Sequence, residues 1–187
     1  MVSAATALLG SIQGCRLAYV QSDEASFLLL DTDRLETQPW LGYDLQKVVS
    51  LSAAEMTARF NCAAYDQGLG SVLRYPATFD SRTFSLPPAE VTNYFLWRVR
   101  DAHRNAILAV AQSKLSPREM HGKKCAELLT ITEVRDTYVS CSRFDRLGTW
   151  IIPNRDTEIA PREIVHETAE PNYVDVVRLV EKAVEKL

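Results

Sequence analysis

The sequence predicts an α+β fold: a ferredoxin-like βαββαβ unit lacking its first strand, followed by a mostly helical region. Two short apolar runs flank a tight polar turn at Ser22-Asp23-Glu24, which is a hairpin signal. Segments with helical spacing precede and follow that hairpin, and an alternating run comes after them. Helix, hairpin, helix and strand are the last five elements of the βαββαβ unit. The expected division is residues 1–113, the incomplete first domain with the start of a long helix, and residues 114–187, a helical and mixed subdomain.

Each element has a local cause. Residues 4–13 place Leu8, Leu9 and Ile12 on one side of a helix that Gly14 stops. The runs CRLAYVQ and ASFLLL form the hairpin strands, and a polar loop with Pro39 and Trp40 follows over residues 31–42. Residues 44–65 read as an amphipathic helix, and two glycines and a proline make residues 66–76 a loop. The alternation of TFDSRTFSL predicts a strand over 78–86 that ends at Pro87-Pro88. A proline then opens the longest helix, over residues 89–112. Ser116 and Glu119 have capping-box spacing and start a shorter helix reaching Leu129. Strands are expected at 149–152 and near 163–167, with a C-terminal helix from Tyr173.

Composition narrows the function. The chain has 187 residues, 47% hydrophobic and 24% charged, with a net charge of −3. That is ordinary globular composition without a whole-chain basic field, so any RNA contact must use a local basic patch. The four cysteines are widely spaced and form no CxxC pair, which reads as reduced thiols in the cytoplasm. The apolar run at residues 4–12 is too short to span a bilayer, so no membrane association is expected.

Several residues could carry chemistry. Adjacent carboxylates at a hairpin turn, Asp23 and Glu24, suit a divalent metal, although Ser and Asp also suit solvated turns. Lys47 is a compact charge able to meet phosphate, or one exposed lysine on an amphipathic helix. On the longest helix Arg98, Asp101 and Asn105 share one face, and Arg100, His103 and Arg104 an adjoining one. The second set is a basic patch suited to phosphate contacts, or a charged surface. Asp80 and Arg82 alternate onto one strand face, as a buried structural pair or a functional one.

Four ordered stretches, YVQSDEASFLL, LQKVVSLSAAEMTARFN, TFDSRTFSLP and EVTNYFLWRVRDAHRNAI, followed by MHGKKCAELL, resemble the tRNA-His guanylyltransferase family. The resemblance runs from residue 11 to 129 and continues more faintly to the end. FLWR, DAHRNAI and MHGK lean toward the bacterial-type branch that repairs tRNA 5′ ends, as does Asp44 where eukaryotic members tend to be basic. It implies a polymerase-like palm that adds a nucleotide to the tRNA 5′ end in the 3′-to-5′ direction, using two Mg²⁺ ions with GTP and ATP as substrates. By this resemblance Asp23 and Glu24 are catalytic metal ligands. Ser22 and Lys47 contact the nucleotide, and Arg98, Arg100, His103, Arg104 and Asn105 engage tRNA. The family tends to form multimers, so a homo-oligomer is expected. Its first metal site is an Asp-Gly pair on the opening strand, and this sequence starts downstream of it. The alternative is therefore a catalytically incompetent tRNA-binding or partner subunit.

Overall fold

The computed structural model describes residues 1–31, 37–71, 74–153 and 164–184. Helix α1 (Val2–Ser11) leads to strands β1 (Cys15–Gln21) and β2 (Glu24–Leu29), then helix α2 (Leu45–Asp66). Helix α3 (Pro88–Lys114) is the longest. Four short helices follow: α4 (Pro117–Met120), α5 (Cys125–Leu128), α6 (Thr132–Ser140) and α7 (Arg143–Leu147). Strands β3 (Thr149–Pro153) and β4 (Ile164–Glu167) and helix α8 (Tyr173–Val184) complete the chain. The expected α+β class is the one observed.

The four strands form one sheet in the order β2-β1-β3-β4, with every neighbouring pair antiparallel. Helices cover both faces. Leu17 and Tyr19 of β1, with Trp150 and Ile152 of β3, point to one face and pack on α3 and α8. Ala18, Val20 and Ile151 point to the other and pack on α1 and α2. Burial on both sides explains why CRLAYVQ reads as a continuous apolar run rather than a clean alternation. Trp150 is fully buried, with its ring 5.2 Å from Tyr19 and 5.3 Å from Phe95. A third cluster, Ile107, Ala111, Leu128, Val134 and Tyr138, joins the distal half of α3 to α5 and α6. Residues 149–153 and 164–184 thus return to the sheet and core that the first half of the chain begins.

Side-chain oxygens set several helix starts. Asp44 caps α2 by accepting from the Lys47 backbone N–H at 3.0 Å. Pro88 opens α3, and Ser116 and Glu119 form the expected capping box at α4. Two expectations need correction. The helix from Ser116 does not reach Leu129 unbroken: Gly122, at φ 74°, separates the single turns α4 and α5. The alternating segment over 78–86 is not a strand. The Ala77 and Phe79 N–H groups donate to the Asn61 and Thr57 side chains of α2, so α2 rather than a neighbouring strand holds the segment. Within it Arg82 and Asp80 pair at 3.5 Å, both well exposed rather than buried. Of the loop expected over residues 31–42, positions 32–36 lie outside the described residues, as does residue 163 of the last expected strand.

Candidate functional site

The hairpin closes in two residues. Gln21 and Glu24 are register partners across it, and Ser22 takes a positive φ of 48° that a turn this tight imposes. Ser22 and Asp23 are exposed at the tip. Glu24 is held from two sides, because one of its carboxylate oxygens accepts from Gln21 Nε2 at 3.1 Å and is also ion-paired with the Arg98 guanidinium. Arg98 rises from α3 and is only 9% exposed. Its guanidinium carbon lies 4.9 Å from the Trp97 ring centroid, and Arg98 Nη1 is 4.0 Å from Asp101. A second link ties the same two elements, with Ser26 Oγ of β2 2.9 Å from the Tyr94 hydroxyl of α3.

The polar line continues along α3. Asp101 accepts from Arg104 Nη2 at 2.5 Å and from Asn105 Nδ2 at 3.3 Å. The expected face of Arg98, Asp101 and Asn105 is therefore a connected line of polar and charged contacts that starts at the turn. Arg100 and Arg104 are exposed, and Arg100 Nε donates to the Pro171 carbonyl at 3.4 Å. His103 is half-buried instead, its Nδ1 2.7 Å from the Tyr138 hydroxyl. Burial holds its imidazole below the ordinary histidine range; the Glu170 charge opposes that shift, and Arg146 adds to it.

The sequence and fold match one family. A family model described as tRNAHis guanylyltransferase matches residues 1–87. A bacterial tRNA(His) guanylyltransferase (Thg1)-like protein, solved in complex with ATP, is 32% identical with a TM-score of 0.77, over 89% of this chain and 69% of that one. The chain belongs to the tRNA-His guanylyltransferase family. A bacterial Thg1-like structure in complex with GTP agrees at 29% identity and TM-score 0.75, covering 98% of this chain and 75% of that one. The Saccharomyces cerevisiae enzyme shares the fold at TM-score 0.64 and 23% identity, over 84% of this chain and 73% of that one. These values lean toward the bacterial type, as the sequence motifs do. The probable tRNA(His) guanylyltransferase of Mus musculus is 24% identical over 88% of this chain, which spans 58% of that protein's length.

Within this family member, Lys47 lies exposed in the first turn of α2. It adjoins an open groove of about 510 Å³ lined by Leu45, Gln46, Val49, Ser50, Arg82 and Thr83. Asp44, read as a departure from a basic position, serves as the cap of this helix. The two Mg²⁺ ions implied by the resemblance need more oxygen donors than the turn offers. Among the described residues no group of three or more His, Cys, Asp or Glu side chains converges on a point. Glu24 is already occupied by a guanidinium, which leaves Asp23 as the uncommitted carboxylate of the turn. This donor set does not fit a two-ion centre by itself. Gln21 was missed in the sequence. Its place opposite Glu24 across a two-residue turn is the signal that would have found it, since directly opposed residues interact.

Proposed function

We propose that this protein acts in nucleotidyl transfer to the 5′ end of tRNA, extending it in the 3′-to-5′ direction with GTP and ATP as substrates. The observation that carries this is the similarity to the ATP-bound bacterial Thg1-like structure, which covers 89% of this chain. In the proposed reaction the tRNA 5′ phosphate attacks the α-phosphorus of ATP and releases pyrophosphate, and the 3′ hydroxyl of the incoming nucleotide then attacks the adenylylated 5′ phosphate and releases AMP. Asp23 offers carboxylate oxygens at the turn, and Ser22 sits beside it for the nucleotide. Lys47 supplies a phosphate-facing charge on α2, and Arg100 and Arg104 supply exposed cations for the tRNA backbone. Asn105 and His103 shape the same helix, Asn105 through Asp101 and His103 through Tyr138. Mg²⁺, when bound, would neutralise phosphate charge. Its further donors must come from beyond Asp23, the phosphates of the substrate among them. The bacterial-type similarity favours repair of truncated tRNA 5′ ends over guanylylation of tRNA-His alone.

A second reading, a tRNA-binding or partner subunit without catalysis, is favoured by one observation: Glu24 is engaged by Arg98, so the turn presents a single uncommitted carboxylate. One experiment separates the two. The chain is incubated with tRNA lacking its 5′ nucleotide, GTP, ATP and Mg²⁺, and both tRNA binding and 5′ extension are followed. Extension that Asp23→Ala abolishes supports the first reading. Binding without extension supports the second, and the absence of both refutes each.

A further inference from the structure

We propose that Arg98 is the resident counter-cation of Glu24, and that this carboxylate anchors the turn while Asp23 alone faces metal. The inference rests on reading the turn as the metal-facing part of the site. It reassigns two residues: Glu24 from metal ligand to positioning residue, and Arg98 from tRNA contact to the cation that holds it.

The argument begins with burial. A guanidinium stays charged at any physiological pH and, once buried, requires an anion. Among the described residues two carboxylates are within reach of Arg98. Asp101 stands 4.0 Å away and already serves Arg104 and Asn105, whereas Glu24 is in direct contact. Glu24 is therefore the principal partner. Gln21 strengthens the assignment. It is buried, its Nε2 donates to the same Glu24 oxygen, and its Oε1 has no hydrogen-bond partner among the described residues. Its amide is thus committed to Glu24 at the root of the turn. A divalent cation on Glu24 would lie against the guanidinium, where partial burial strengthens like-charge repulsion. The consequence is mechanical as well as electrostatic. Arg98 comes from α3 and Glu24 from β2, so the pair fixes the distance between the helix and the turn that presents Asp23.

The test is Mn²⁺ binding by the whole chain, followed by electron paramagnetic resonance. Asp23→Asn should lower the affinity by roughly tenfold or more, and Glu24→Gln, which loosens the anchor without removing a ligand, should lower it distinctly less. Arg98→Gln should raise affinity roughly tenfold, because the freed Glu24 then joins Asp23, and Arg98→Gln with Glu24→Gln should return it to the wild-type value. No gain on Arg98→Gln, from a measurable or an undetectable starting affinity, overturns the proposal. So does a loss on Glu24→Gln equal to that on Asp23→Asn. Should Arg98→Gln fail to fold, the Arg98 Nε–H resonance of the native protein decides instead. Glu24→Gln should shift it and saturating Mg²⁺ should not, and a Mg²⁺ shift as large as that of Glu24→Gln overturns the pairing. If Asp23→Asn leaves Mn²⁺ affinity unchanged, the metal-facing reading of the turn fails, and the resonance still decides the pairing.

Discussion

His103 is a half-buried imidazole 2.7 Å from a tyrosine hydroxyl, and burial depresses its pKa. The folded state therefore binds a proton less readily than the unfolded chain. The stability that neutral His103 contributes is complete above the ordinary histidine pKa and is lost as pH falls toward the depressed folded value. Melting temperature should drop between about pH 7 and pH 5, and His103→Gln should flatten that slope; an unchanged slope contradicts the assignment. The thiols should also differ. Burial pushes Cys15 up to about 12, whereas Cys62 is exposed, so a thiol reagent at neutral pH should label Cys62 first, as peptide mapping would show. Arg98 illustrates why side-chain roles were only partly legible. It lies in a charged run, WRVRDAHR, and so reads as solvent-facing, yet it falls three residues after Phe95 and seven after Val91 on the buried stripe of α3. Helical spacing held that information; residue type pointed the other way.

At the scale of elements, the hairpin, the long helix and the Ser116–Glu119 capping box were readable because each depends on neighbours in sequence, whereas the Asp44 cap of α2 was not read. Asp44→Ala should cost roughly 1 kcal/mol of stability by removing the α2 cap, measured by chemical denaturation. The segment over 78–86 was misread for a physical reason: alternation belongs to a segment, but a strand belongs to a pair. Its anchors are Asn61, Thr57 and, through Ser81, Ser52 of α2. The sheet order likewise makes β2 an edge strand, exposed at Glu24 and half-buried beyond it, while β1 is enclosed by β2 and β3. Amide hydrogen exchange should accordingly be much slower in β1 than over residues 78–86. Equal rates would contradict the topology.

For the whole molecule, the order of elements gave the fold class but not how the second half returns. Local pattern shows β3 as a strand without showing that it pairs with β1, because that register joins Ala18 to Ile151 across more than a hundred residues. Trp150 sits at that junction, touching Tyr19 and Phe95, so Trp150→Ala should destabilise the protein by about 3–5 kcal/mol. The same return brings α8 onto α3, so the helix that carries Arg98 and the basic residues is held from both ends of the chain. The site is thus a product of the complete fold: a turn from β1 and β2, held by an arginine from α3. The most direct test of its function is incorporation of labelled GTP at the 5′ end of a tRNA lacking its first nucleotide, by the whole chain and by its Asp23→Ala variant. The account predicts label joined at the 5′ terminus by the native chain and none by the variant; equal incorporation by both would contradict it.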